Sequence, residues 1–412
     1  MSYWTWLALL AGALASGALV VPVLVLPRRI EAFALLGIAV CVTAAYEAIK
    51  AITAAAPRGD VVATASMAAL GAALAGYVIG SSTLARFRVR RPAVALPDVT
   101  DAGERIGVVL LTPAEPPSYT PDHLAEELAE LADGGVPFPR TPLLPLIYAA
   151  RREAYHTLGS SDAAASAGRI ATRLQSMLDA ASDRFGETRA ASTSCCPRLT
   201  EAVADLAASG HARIVVATLA SSRDAGIDRA WGELSAARPA EHGIRLVDAG
   251  PLTDARLLAD VVVEKIRRVS TGPPADTGVV LLSPGRPPAW ERSRPDAAER
   301  DAFVAARARF ALREMGYASD NVVTAALEWS EPDVVGAIRG LAAFGCRSVI
   351  VAPATVPLDG IGTLVDLPRL VAHARRVTGV DIVILPAWND DASIETALRD
   401  MVRAATDEAF AV

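Results

Sequence analysis

Imidazole and thiol groups, the side chains best suited to binding transition metals and moving protons near neutral pH, are few in this 412-residue chain. They are His123, His156, His211, His242, His373, Cys41, Cys195, Cys196 and Cys346. The sequence has no Cys-x-x-Cys motif or Cys/His ligand spacing, and adjacent cysteines seldom bridge each other. It therefore predicts neither a structural zinc site nor a disulfide framework, which fits a reducing compartment. Cys195 and Cys196 are interpreted as small buried residues, with a redox sensor or a soft-metal site as the alternative.

Most of the histidines lie in sequence typical of a protein surface. His211 follows a glycine at a predicted helix end and precedes a strand, which predicts a surface turn. His123 and His242 lie in polar helix-start or loop sequence, and His373 belongs on the face of a helix. The net charge of −6 argues against a nucleic-acid-binding role.

The elements that must position any site come from two similar stretches of chain. Residues 107–119 and 278–290 both begin Gly-Val-Val-Leu-Leu and continue into a proline-rich turn. Uninterrupted aliphatic runs of this kind are typical of strands buried on both faces of a parallel sheet. The sequence therefore predicts two similar α/β halves, at 105–270 and 276–408, with a ligand expected where they meet.

Strands and helices alternate in both halves, which favours a doubly wound parallel sheet in each. The predicted strands are 107–111, 189–194, 213–219, 245–249, 276–283, 322–327, 348–352 and 381–385. The predicted helices are 121–132, 151–158, 166–180, 199–209, 223–237, 255–268, 297–315, 332–343, 367–377 and 392–405. Residues 134–145 are predicted to be a proline-rich loop, and Pro332 is predicted to begin its helix.

Three apolar stretches precede these halves, at 4–26, 33–55 and 61–84. Each is long enough to cross a hydrocarbon layer of roughly 30 Å. The first lacks the positive start and the cleavage site of a signal peptide. The sequence therefore predicts a membrane domain of three transmembrane helices at 1–91, a buried soluble hairpin being the alternative.

Charged and small residues refine this membrane prediction. Glu47 and Lys50, three residues apart, are expected to pair near the end of the second span. Glycines at positions 71, 76 and 80 suit close helix packing in the third. Arginines cluster on one predicted side of the membrane, at positions 28, 29, 86, 88, 90 and 91, while Lys50 and Arg58 lie on the other. The positive-inside rule then places the N-terminus outside the cell and the large domain in the cytoplasm, although a lipid-headgroup site would also explain the second cluster.

Six segments, taken together in order and spacing, resemble the ferrochelatases, class II chelatases built from two flavodoxin-like halves. They are 107–111, 155–159, 196–202, 329–334, 349–353 and 386–391, and the resemblance covers about 105–402. It implies insertion of Fe²⁺ into a porphyrin, the last or near-last step of haem synthesis. Two pyrrole N–H protons must leave in that reaction, so a base is needed, and a neutral imidazole and a facing carboxylate suit the task.

The residues that the resemblance assigns to this chemistry are missing from the sequence. The family supplies a histidine at the end of a first-half strand, where this chain has Leu219. It supplies a glutamate in a second-half Asp-His-x-Glu pattern, where this chain has Gly360 at the histidine and Gly362 at the glutamate. The family's loops after the first strand of each half also differ here, at 112–116 and 283–288. Leucine and glycine can neither bind iron nor move a proton.

The resemblance also implies which residues border a tetrapyrrole pocket. They are Thr112, Pro113, Tyr119, Tyr155, His156, Thr218, Leu219, Ser283, Asp359 and Gly362. His156 is the candidate for a relocated base or metal ligand, with a helix surface as the simpler interpretation. Glu115 and Asp359 are candidate carboxylates, and each is also explained as a polar loop cap. Trp329 and Trp388 are interpreted as core or pocket-wall aromatics.

The leading interpretation is a membrane-anchored, ferrochelatase-like protein that has lost the usual metallation residues and binds a tetrapyrrole or assists a haem-pathway enzyme. The alternatives are an active ferrochelatase with relocated ligands and a structural module that serves a membrane partner through a filled, apolar cleft. The expected partners are the lipid bilayer, a porphyrin or haem, and a haem-pathway or membrane protein. No cysteine follows Cys346, so the [2Fe–2S] cluster that some ferrochelatases carry near the C-terminus is not expected.

Overall fold

The computed structural model describes residues 3–55, 59–87, 89, 91–99, 104–133, 135–136, 141–293, 295–389 and 391–410. Several residues used above lie outside these ranges: Arg58, Arg88, Arg90, Asp390 and part of the loop predicted at 134–145. The chain divides into two compact units. Unit 1 comprises Met1–Arg90, Tyr119–Ala132 and Pro137–Thr157, and unit 2 comprises Arg91–Ser118, Asp133–Val136 and Leu158–Val412.

Unit 1 contains three long apolar helices that could each span a membrane, α1 (Tyr3–Val25), α2 (Arg28–Ala55) and α3 (Gly59–Arg86). Helices α1 and α3 approach each other closely, because a Cβ at Gly17 would overlap the carbonyl of Ala73 and a Cβ at Gly76 that of Leu14. Gly71 faces open space, so the packing role predicted for it is wrong. The predicted pairing of Glu47 with Lys50 is confirmed, with 3.4 Å between Nζ and a carboxylate oxygen.

Two shorter helices, α4 (Pro121–Asp133) and α5 (Leu144–Leu158), belong largely to the same unit. Arg152 on α5 donates to the carbonyls of Val23 and Leu26 at the end of α1, at 2.7 and 3.0 Å. The hydroxyl of Tyr119 donates to the carbonyl of Val25 at 2.6 Å. These donors satisfy carbonyls that a helix C-terminus leaves without an intrahelical partner. Helix α5 begins seven residues before its predicted start, because Pro145 lies in its first turn, where a proline needs no N–H partner.

Unit 2 contains two four-stranded sheets in which every pairing is parallel. The first has the order β2-β1-β3-β4, from β1 (Ile106–Thr112), β2 (Phe185–Ser192), β3 (Arg213–Thr218) and β4 (Arg245–Pro251). The second has the order β6-β5-β7-β8, from β5 (Thr277–Ser283), β6 (Val322–Ala326), β7 (Ser348–Pro353) and β8 (Asp381–Ile384). The predicted fold of two α/β halves with parallel sheets is therefore confirmed. Both central strands, β1 and β5, are almost wholly buried, as their aliphatic runs predict.

Nine helices among the described residues of unit 2 cover these sheets. They are α6 (Ala163–Ala181), α7 (Leu199–Ala208), α8 (Ala225–Ala236), α9 (Ala255–Val269), α10 (Pro288–Ser293), α11 (Pro295–Glu314), α12 (Val334–Ala343), α13 (Leu367–Thr378) and α14 (Ala392–Ala409). The last helix of each half packs against the other half. Helix α9 contributes Val262 and Ile266 to the core around β5 and α11, and α14 contributes Leu398 and Val402 to the core around β1 and β3. The halves therefore share their hydrophobic cores rather than meeting at a surface.

Two predictions about individual elements are wrong for identifiable physical reasons. Strand β2 begins at Phe185 rather than at 189, because it is an edge strand whose middle is exposed and so lacks an aliphatic run. Pro332 precedes helix α12, which begins at Val334 after the N-cap Asp333, whose carboxylate accepts from the amide of Gly336 at 2.6 Å. Trp388 lies in the core, whereas Trp329 is 48% exposed, which excludes the core interpretation for it and leaves the pocket-wall one.

Candidate functional site

The residues predicted to border a pocket in the first half follow strands β1 and β3. Thr112 and Thr218 end these two strands and are both buried. The hydroxyl of Thr112 donates to the carbonyl of Ala191 on β2 at 3.2 Å. Pro113 is half-buried. The backbone thus brings these residues to one edge of the sheet, where α/β proteins commonly bind ligands.

Leu219, at the position that the resemblance assigns to the family's histidine, lies in a hydrocarbon environment. Its side chain has no exposed surface, and its amide donates to the carbonyl of Leu111 at 2.8 Å. It belongs to a core cluster that includes Leu252 of the first half and Leu358 and Trp388 of the second. This position is therefore filled with apolar side chains from both halves.

Gly360 and Gly362 lie in a loop of the second half, and the side chain of Glu115 from the first half contacts this loop. A carboxylate oxygen of Glu115 accepts from the amide of Ile361 at 2.8 Å, so a first-half side chain reaches a second-half loop. A Cβ at Gly360 would lie 2.9 Å from that same oxygen, and one at Gly362 would lie 2.8 Å from the side chain of Leu327. Because Ile361 begins a helical segment, Glu115 acts there as a polar cap, which was one of its two sequence interpretations.

Asp359 is also a structural anchor of this loop. Its two carboxylate oxygens accept from the amide of Ala387 at 3.1 Å and from the side-chain amide of Asn389 at 2.7 Å. Its own amide donates to the side chain of Asn389 at 2.9 Å. Asp359 therefore ties this loop to the segment that follows β8, as the loop-cap interpretation predicts.

A cluster of four polar residues, which the sequence did not reveal, joins the halves close to Leu219. Arg286 donates to a carboxylate oxygen of Asp301 at 2.6 Å, and the two side chains are only 14% and 10% exposed. Arg286 also donates to the hydroxyl of Ser222 at 2.9 Å, and the hydroxyl of Ser221 donates to the other oxygen of Asp301 at 3.0 Å. We call these four residues the junction cluster. The sequence showed that the loop at 283–288, which contains Arg286, differs from the family's loop. It gave no local signal that Asp301 on α11 would be the partner of Arg286.

A cavity of about 440 Å³ lies beside the junction cluster, at the carboxyl ends of β5, β6 and β7. Ser283, another predicted pocket residue, lines it together with Arg286, Asp301, Arg309, Ser330 and Thr355. Its floor is formed by Leu281, Leu282 and alanines of α11. This cavity lies within the second half and is lined by both polar and apolar side chains.

The other predicted pocket residues, Tyr119, Tyr155 and His156, belong to unit 1. The rings of Tyr119 and Tyr155 lie 6.3 Å apart, and Tyr155 is almost fully buried. Burial raises the pKa of the Tyr119 phenol well above its usual range. His156 is exposed on α5, which agrees with the helix-surface interpretation.

The burial of His211 and the exposure of Cys196 show that two predictions are wrong. His211 is buried rather than exposed in a surface turn, because its ring nitrogens lie 3.4 Å from the amide of Glu187 and from the carbonyl of Arg105. Cys196 is exposed, whereas Cys195 is buried and its pKa is raised by burial. Within the described part of the chain, no group of three or more His, Cys, Asp or Glu side chains could hold a metal ion.

This chain is similar to one protein family and to several solved structures. A family model described as Ferrochelatase matches residues 138–406, more than half of the chain. A search of curated proteins found no match. Among solved structures, SirB from Bacillus subtilis with Fe³⁺ has a TM-score of 0.47 at 12% identity, over 74% of this chain and 98% of that chain. CbiX, described as the terminal enzyme for siroheme biosynthesis in denitrifying bacteria, has a TM-score of 0.40 at 13% identity, over 73% and 99%.

Proposed function

We propose, from the premise that this chain belongs to the ferrochelatase family, that it is a membrane-anchored member which does not insert metal into a tetrapyrrole and instead assists haem synthesis at the membrane. The observation that carries the proposal is the filling of the expected reaction site from both sides. Leu219 lies in a core shared by the two halves, and Glu115 caps the loop opposite it.

The chemistry of metal insertion makes this filling decisive. The incoming Fe²⁺ needs a lone pair near the macrocycle, and the two pyrrole protons need a base. Leu219 offers only hydrocarbon, and its buried position leaves no room for a flat macrocycle against it. A carboxylate oxygen of Glu115 is already bound to the amide of Ile361, so using it as a base would cost that hydrogen bond.

Membrane anchoring is the second part of the proposal, and it rests on the three long apolar helices of unit 1. By the positive-inside rule, the arginines that follow α3 favour a cytoplasmic large domain with the N-terminus outside. Reporter fusions at the two termini test this orientation. Both reporters responding on the same side of the membrane would contradict it.

The direct test is a metallation assay on the full-length protein in lipid nanodiscs. Protoporphyrin and coproporphyrin are each supplied with Fe²⁺ or Zn²⁺, and the Soret band is followed with time. We expect the rate to equal that of empty nanodiscs. A substantial protein-dependent rate would overturn the proposal.

Two variants then identify what carries any rate that is observed. Loss of the rate in Glu115→Gln would assign the base to the relocated carboxylate beside Gly360. Loss of the rate in His156→Ala would assign it to the exposed imidazole on α5. In the absence of a rate, a Soret shift on adding porphyrin marks an accessory protein that holds a tetrapyrrole, and an unchanged band marks one that acts through a protein partner.

A further inference from the structure

We infer that the cavity beside the junction cluster binds a small organic acid through its carboxylate group. This inference does not depend on the proposed function, because all the residues that carry it lie in the second half and none of them is a metallation residue. The cavity volume of about 440 Å³ falls within the range of roughly 300–1,000 Å³ that is usual for small-molecule sites.

Arg309 supplies the positive charge that such a ligand would need. It lies on α11, and its Nε is buried without a hydrogen-bond partner among the described residues. A guanidinium carries a positive charge, and a buried N–H donor without a partner costs free energy, although Arg309 as a whole is only half-buried. The other arginine of the cavity, Arg286, already has Asp301 as its counter-ion. Arg309 therefore offers a positive charge and an unused Nε–H donor to an anionic ligand in the cavity.

Thr355 supplies a second donor among the residues that line the cavity. It follows β7, is only 3% exposed, and its hydroxyl has no hydrogen-bond partner among the described residues. A buried polar group without a partner costs free energy, so such groups in native proteins usually face a ligand or a water molecule. A carboxylate can accept from a guanidinium and from a hydroxyl at the same time.

The remaining walls favour a carboxylate with a hydrocarbon body over a phosphate. Leu281, Leu282 and Ala305 give the floor an apolar surface. The carboxylates of Asp301 and Glu331 also line the cavity, and they would repel a dianion more strongly than a monoanion. The shared chemistry fits either a free carboxylic acid or the carboxylate arm of a larger ligand such as a tetrapyrrole.

Calorimetric titration of the full-length protein in nanodiscs tests the inference, with the monocarboxylates hexanoate and butyrate and with inorganic phosphate as probes. We expect hexanoate or butyrate to bind and phosphate to bind at least tenfold more weakly. Absence of heat with both carboxylates, or phosphate binding as tight as theirs, would overturn the inference. If coproporphyrin displaces bound hexanoate, the natural source is a carboxylate arm of a larger ligand; if it does not, the source is a free acid.

Three variants tie any binding to the cavity. Arg309→Met should weaken carboxylate binding roughly tenfold or more, the size expected when a charge-assisted hydrogen bond is lost. It should also leave the melting temperature of the ligand-free protein unchanged or higher, because the buried Nε–H that it removes has no hydrogen-bond partner among the described residues. Thr355→Val, which keeps the side-chain shape, should weaken binding several-fold. Arg307→Met is the matched control, because Arg307 lies two residues away on the same helix and stacks on the exposed Phe303.

The three variants give independent tests, so the outcome does not depend on any one of them folding. Wild-type affinity in a folded Arg309→Met protein would overturn it. If that protein does not fold, undiminished binding by Thr355→Val would do the same. Equal weakening by Arg307→Met would show that the effect is general electrostatics and not this cavity.

Discussion

The substitution Asp301→Asn should destabilise unit 2 far more than the same substitution of an exposed aspartate on its surface. The carboxylate of Asp301 neutralises Arg286 at 2.6 Å, and the two side chains are 10% and 14% exposed. In Asp301→Asn, the hydroxyl of Ser221 can still donate to the amide oxygen, but an NH₂ group then faces the guanidinium. Removing one partner of a buried ion pair costs about 3–5 kcal/mol, and the residual exposure of this pair places the change near the lower end, at about 3 kcal/mol.

Thermal unfolding of the full-length protein in nanodiscs, followed by circular dichroism, measures this change. For a unit of this size, each kcal/mol corresponds to about 2 °C, so we expect the melting temperature to fall by roughly 6 °C. Asp407→Asn is the control, because Asp407 pairs with Arg184 at 2.9 Å with side chains that are 63% and 49% exposed. That pair should contribute less than about 1 kcal/mol, or at most about 2 °C. Equal shifts in the two variants would refute the reasoning that the junction cluster behaves as a buried group.

Three further predictions test other contacts. Glu115→Gln keeps the shape but replaces a charged acceptor by a neutral one, so hydrogen exchange at the Ile361 amide should accelerate several-fold, a change of about 1 kcal/mol; unchanged exchange would mean that this contact does not form in solution. Cys196 should react with a thiol reagent at pH 8 at least tenfold faster than Cys195, because burial raises the pKa of the Cys195 thiol and lowers its thiolate fraction. Mass spectrometry of the labelled peptides measures the two rates, and a faster reaction at Cys195 would contradict its burial. Gly76→Leu should separate α3 from α1 and lower the melting temperature of unit 1 by several degrees, whereas Gly71→Leu, at a position facing open space, should not; equal effects would contradict the close approach.

The sequence predicted the elements whose signals are local. Runs such as Val108–Leu111 can be satisfied only by burial on both faces, so they identified the central strands. Apolar length alone identified α1, α2 and α3. Edge strand β2 was placed four residues late, because a strand with one exposed edge does not need an aliphatic run.

The candidate site was less predictable, because its contacts join residues far apart in sequence. Glu115 and Ile361 are separated by 246 positions, and nothing near either residue specifies the other. His211 was misplaced for the same reason, since its burial depends on the neighbouring strand at Glu187 rather than on the turn that contains it. Local patterns therefore gave the loops that could form a site but not which of them are in contact.

The contacts across the junction explain how the proposed loss of metal insertion can occur together with retention of the fold. An open cleft for a macrocycle needs unpaired imidazole and carboxylate groups facing one another across a gap, and such groups destabilise a folded chain. In this region Leu219 lies in a core shared by the two halves. The carboxylate of Glu115 accepts from the amide of Ile361, and that of Asp301 pairs with Arg286. Under the proposed function, these contacts stabilise the junction at a place where metal insertion would need reactive groups. Arg309 and Thr355 are exceptions, because each has a buried donor atom without a hydrogen-bond partner among the described residues. This is the physical reason for expecting a ligand in the cavity beside the junction cluster rather than at the family's metal site.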